Sequence, residues 1–160
     1  MELEFDVRMT KNALYDYMLY HTYTGFSGIL GTMVGIFLIV AFVMKGSPLY
    51  LIAGLIIILY LPGALFLRST QQYLNNPAFK EPFHYLVNDE GITVTQKELS
   101  ETIPWDGMVK AVSTPGSIVI YTSKVNASIF PKKDLGEKKA AFIQAVSTHM
   151  NPSSVKIRGW

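Results

Sequence analysis

The chain opens with a run of polar and apolar residues that alternates without a break. Leu3, Phe5, Val7 and Met9 fall on one side and Glu2, Glu4, Asp6 and Arg8 on the other. A period of two is that of a half-buried strand, and a lone strand is not stable, so this run predicts a partner elsewhere in the chain. The period then changes. Thr10 is placed to cap a helix running to about His21, with Leu14, Tyr17, Met18 and His21 on one face. Two uncharged apolar stretches follow, 25–44 and 48–67. As a helix, each is about 30 Å long, the thickness of a bilayer's hydrocarbon core. A strand there would leave backbone polar groups unsatisfied in lipid. The short connector Lys45-Gly46-Ser47 permits only an antiparallel pair.

A chain of 160 residues does not build a core that hides two all-round apolar helices side by side. The first stretch also follows an acidic opening (Glu2, Glu4, Asp6) and leads straight into the second, unlike a cleaved leader. The pattern therefore predicts a transmembrane helical hairpin, with Gly46 closing its first helix in a left-handed conformation and Ser47-Pro48 starting the second. Gly28, Gly31, Gly35 and Gly54 are the candidate helix-packing positions, because small residues let backbones approach in lipid. Pro62-Gly63 predicts a kink. Neither stretch holds an ionisable residue, which argues against a proton relay or an ion path. Arg8, Lys11, Arg68 and Lys80 flank the hairpin on one side and Lys45 alone marks the turn, so both termini are expected on the cytoplasmic face of the cell membrane.

From residue 83 the composition changes to short β-like runs, at 83–88, 92–96, 99–105, 108–113, 117–122 and 127–130. Asp89-Glu90-Gly91, with glycine at positive φ, and Pro115-Gly116 are the turn signals. Asp134 and Glu137 have the spacing of a capping box for a final helix that carries Leu135, Phe142, Val146 and Met150 on one face. The tail after Pro152 reads as polar and loose. The only strands in the chain able to pair with the opening run are those after residue 82, so the hairpin is expected to interrupt a single sheet domain. The expected organisation is 1–24 (strand and interfacial helix), 25–67 (hairpin), 68–82 (juxtamembrane connector) and 83–151 (β domain with closing helix).

Phe83-x-Tyr85, Asp89-x-Gly91-Ile92, Ser100, Trp105-Asp106, Val109, Val112 and Phe130-Pro131-Lys132-Lys133 resemble the C-terminal domain of YcxB-like bacterial membrane proteins, and the preceding layout is also similar. The resemblance covers nearly the whole chain. It implies an α+β membrane protein in which a two-helix hairpin is inserted in a pleckstrin-homology-like (PH-like) antiparallel β domain: a bent sheet of about seven strands, closed by a C-terminal helix. It supplies no activity.

No reaction centre emerges from the residues. His21, His84 and His149 share no metal-ligand spacing, cysteine is absent, and no nucleophile elbow or phosphate-cradling loop occurs. Asp89, Glu90 and Asp106 read as turn residues, and Trp105 as a core residue whose indole N–H finds a backbone acceptor. A net charge of +2 excludes any strong case for nucleic acid. No cofactor, metal or small-molecule substrate is expected. Lys132, Lys133, Lys138 and Lys139 are the candidate lipid-surface contacts, with an ordinary solvated face as the alternative. The leading functional expectation is a non-catalytic membrane-anchored module that binds a protein, a peptide or a second copy at a sheet edge or beside the final helix. Anionic-lipid sensing ranks second. A membrane enzyme acting on lipid or peptide ranks last.

Overall fold

The computed structural model describes residues 2–157. The opening run forms β1 (Leu3–Val7), and Thr10 caps α1 (Lys11–Tyr23) by accepting from the Ala13 N–H at 3.2 Å. Two long helices follow, α2 (Phe26–Lys45) and α3 (Pro48–Asn75). Then come β2 (Phe83–Val87), β3 (Gly91–Gln96) and β4 (Leu99–Pro104), followed by β5 (Lys110–Ser113), β6 (Ser117–Tyr121) and β7 (Ala127–Pro131). The chain ends with α4 (Lys132–Leu135), α5 (Lys139–His149) and β8 (Val155–Lys156).

Both α2 and α3 are long and apolar enough to cross a membrane, and only 11 % of the positions in each apolar stretch are buried. Phe37, Met44, Leu49 and Tyr60 all project outward. The helices meet at their glycines. A methyl group on Gly54 would lie 2.9 Å from the Gly35 carbonyl oxygen, and one on Gly35 would meet Ile58. Gly28 abuts the backbone of Thr22 and Tyr23, whereas Gly31 faces open space. Gly46 ends α2 at φ 67, but Ser47 makes no side-chain cap. The segment 68–82, expected as a connector, is helical as far as Asn75. No glycine or proline interrupts it between Gly63 and Pro77.

β1 pairs antiparallel with β2, Phe5 opposite Tyr85 and Val7 opposite Phe83, so α1, α2 and α3 are inserted between neighbouring strands of one sheet. The PH-like closed domain expected from the resemblance is not what forms. The strands make two separate open sheets of four, in the orders β1-β2-β3-β4 and β7-β6-β5-β8. Among the described residues there are eight strands rather than seven, because part of the tail expected to be loose is ordered: Val155 and Lys156 pair in parallel with Ala111 and Val112. That pairing occupies the edge of β5. β4 ends at Pro104, which has no N–H to donate, and a single turn of 3-10 helix, Trp105–Gly107, diverts the chain before β5. The two sheets are therefore not stitched together by hydrogen bonds. They share a core to which Phe5, Val7, Tyr85 and Val87 contribute from one sheet, and Ile118, Ile120 and Phe130 from the other. Leu135, Phe142 and Val146 fill it from the helical side.

Two local expectations also change. Asp134 and Glu137 form no capping box: the final helix is broken at Gly136 (φ 50), α5 begins only at Lys139, and the Asp134 carboxylate instead accepts from the Arg8 N–H at 3.0 Å. Gly91 does not take positive φ. Glycine is needed there because a methyl group would strike the Ile103 carbonyl on the neighbouring strand. The Asn88 carboxamide makes the turn, accepting from Glu90 N and Gly91 N at 3.0 and 3.2 Å.

Candidate functional site

The first sheet has one covered edge and one open edge. At β1, α4 and the following turn close the side: Arg8 N is bound by Asp134, and Lys138 Nζ donates to the Glu4 carbonyl at 2.6 Å. At β4 no strand lies on the outer side among the described residues. The β3–β4 connection is a two-residue turn, Lys97-Glu98, with Lys97 at φ 56. Such a turn closes on a hydrogen-bonded pair, Gln96 opposite Leu99, and bonded and unbonded pairs then alternate along the ladder. Thr95–Ser100 and Thr93–Thr102 are thus the unbonded pairs, in keeping with their hydroxyls meeting at 3.0 and 2.8 Å. The backbone N–H and C=O groups of Ser100 and Thr102 consequently face away from β3. Leu99, 80 % exposed, sits beside them.

A second cluster joins α1 to the second sheet. The Asp16 carboxylate accepts from Thr114 Oγ1 at 2.5 Å and Gly116 N at 3.2 Å, clamping the β5–β6 turn onto the helix. Further along α1, Tyr17, His21 and Tyr121 pack ring on ring, with centroids 5.7 to 6.1 Å apart. Lys110 Nζ lies 5.8 and 5.7 Å from the ring centres of Tyr20 and Tyr121. Burial raises the Tyr17 hydroxyl and, with Tyr17 and Tyr20 alongside, pushes Tyr121 to about 12. Both stay neutral hydrogen-bonding groups at physiological pH. No sequence pattern singled out Asp16. Its only signal is its position as the one carboxylate in a helix otherwise rich in tyrosine.

The four candidate lysines do not form one free patch. Lys132 donates to the carbonyls of Thr114 and Pro115, Lys138 to that of Glu4, and Lys133 lies 4.0 Å from Asp134. Nor do the titratable residues converge on a reaction centre. His84 and Asp6 pair at 2.8 Å with side chains 49 % and 69 % exposed, a surface contact. Asp106 is exposed on the turn after β4. His149 stacks on Trp105 at 4.9 Å, donates from Nδ1 to the Ala145 carbonyl at 2.9 Å, and places Nε2 3.4 Å from Asp89. Trp105 Nε1 donates to the Asn88 carbonyl at 2.9 Å, so this group fastens the β2–β3 turn to the end of α5. Among the described residues no group of three or more His, Cys, Asp or Glu is placed to hold a metal.

Residues 87–146 match the family model described as YcxB-like protein. A YcxB-like domain therefore runs from the end of β2 to the middle of α5. The match is narrower than the resemblance read from the sequence, leaving out β1, α1 and both long helices. No curated protein and no solved structure matches the chain.

Proposed function

We propose that the protein is a non-catalytic, membrane-anchored module that recruits an extended peptide segment of a partner protein onto β4. In this reading α2 and α3 cross the cytoplasmic membrane as a hairpin, with both sheets and both termini on the cytoplasmic side. The outward apolar surface of the two helices supports the crossing, and the excess of Arg8, Lys11, Arg68 and Lys80 over Lys45 supports the orientation.

The observation that carries the reading is the uncovered edge of β4. Exposed edges invite association and are usually shortened, charged or covered. Here the opposite edge of the same sheet is covered and this one is not. Strand addition would use the free backbone groups of Ser100 and Thr102, with Leu99 as the apolar contact.

The test is a peptide selection against the full chain in nanodiscs, followed by amide-proton NMR. Bound peptides should protect the amides of Ser100 and Thr102. Thr102→Pro, which removes one outward donor at an edge position that tolerates proline, should weaken binding by about tenfold, the order expected for one lost hydrogen bond. Peptides that bind Thr102→Pro as well as wild type, or that protect no β4 amide, would count against strand addition.

A further inference from the structure

We infer that the cleft where α1 turns into α2 holds the phosphate of an anionic phospholipid headgroup. The cleft, of about 310 Å³, is lined by His21 and Thr24 from the end of α1, Lys110 and Tyr121 from the second sheet, and Ser123 and Lys124 from the β6–β7 loop.

Three features point to this ligand. The first is position. Thr24 and Gly25 immediately precede Phe26, the first residue of α2, so the cleft opens where a membrane-crossing helix meets its headgroup layer. The inference rests on the hairpin reading in that respect. The second is charge. Lys110 and Lys124 bring two ammonium groups, and among the described residues no carboxylate lines the cleft and neither lysine has an ion pair. Lys110 is oriented by the faces of Tyr20 and Tyr121, which leave its N–H donors free. The Ser123 hydroxyl, which accepts from Val125 N and Asn126 N and keeps its own proton to give, and the Tyr121 hydroxyl, which burial holds protonated, add neutral donors, whereas Thr24 Oγ1 already donates to the Tyr20 carbonyl at 2.7 Å. The third is the rim. Val109, which lines the cleft beside Lys110, is 59 % exposed, an apolar side chain next to a cationic one, the mixture that suits a bilayer interface.

The lysines read from the sequence lie elsewhere. Lys133 stands beside Thr10 and Asn12, at the opposite end of α1, about 20 Å away by the rise of the helix.

The full chain would be reconstituted in vesicles of phosphatidylcholine and phosphatidylglycerol, then released for native mass spectrometry of retained lipid. Wild type should retain phosphatidylglycerol over phosphatidylcholine. The double variant Lys110→Gln/Lys124→Gln should lose that preference by about an order of magnitude, whereas Lys133→Gln/Lys139→Gln should keep it. Unchanged preference in the Lys110/Lys124 variant would overturn the inference. So would displacement of the lipid by millimolar inorganic phosphate, which would mark a site for soluble anions. Vesicles washed in alkaline carbonate separate the two failures: a chain that washes off removes the hairpin reading itself, whereas one that stays but shows no lysine dependence removes only the headgroup site.

Discussion

Replacing Asp16 with alanine removes the acceptor that ties α1 to the β5–β6 turn. Two hydrogen bonds end on Oδ2, from Thr114 Oγ1 and Gly116 N. Their losses do not simply add. Gly116 is exposed, so water takes its N–H. The Thr114 hydroxyl, though buried, lies 3.0 Å from the Ser117 carbonyl and turns to it, so no donor is orphaned. What remains is the loss of one bond to a charged acceptor, about 2 kcal/mol. That corresponds to an approximately 30-fold shift in the opening equilibrium. Hydrogen exchange followed by mass spectrometry on the full chain in nanodiscs reads this directly: α1 amides should exchange about 30-fold faster, with α2 and α3 unchanged. Asp16→Asn, which keeps a neutral acceptor, should fall between. Exchange in α1 that moves by less than about threefold would show that packing of Ala13 and Leu14 alone holds the helix. Equal acceleration through β1–β4 would show that α1 does not open as a separate unit.

Gly91→Ala sets a methyl group against the Ile103 backbone, which no side-chain movement relieves. It should destabilise the sheet unit by about 2 kcal/mol or more, seen as a lower unfolding midpoint by Trp105 fluorescence. Lys97→Gly removes a non-glycine residue from φ 56 and should stabilise the same unit by about 1 kcal/mol. In the hairpin, Gly54→Ala should lower the thermal midpoint through its contact with Gly35, while Gly31→Ala, which meets open space, should not. Alkali should act through Tyr85, which burial pushes to about 12. Between pH 10 and 12 the unfolded chain loses this proton and the folded one keeps it, so stability falls as pH rises, by about 3 kcal/mol across the window. Tyr85→Phe should make that decline shallower without abolishing it, since Tyr121 is raised to about 12 as well, and tyrosinate absorbance should show one fewer late-ionising group.

Much of this was legible residue by residue. The alternation from Glu2 to Met9 is a period that any half-buried strand must obey, and the need for a partner follows from the instability of a lone strand. Six runs after residue 82 were visible because their ends carry turn chemistry: Asn88 to Gly91, and Pro115-Gly116. Gly91 shows where such reading stops. Glycine at a turn suggests positive φ, yet the requirement comes from a neighbouring strand's carbonyl, which only the pairing register brings close. The Asp134/Glu137 spacing was misleading for a related reason, since Gly136 breaks the helix and Asp134 turns to a backbone amide distant in sequence.

The order of residues alone determined that six short runs after residue 82 are strands, that two stretches are apolar enough for lipid, and that the first nine residues had to seek a partner in the sheet formed after residue 82. Those follow from periodicity and composition, which act locally. Whether the strands would close into one sheet was decided by the tertiary structure, through Val155 and Lys156 taking the edge of β5. So was the choice of β4 as the uncovered edge, and so was the meeting of His21, Lys110, Tyr121 and Lys124 in one cleft. None of these has a local signature, because each depends on which distant backbone groups compete for the same hydrogen-bonding edge, and that competition is settled only when the chain has packed.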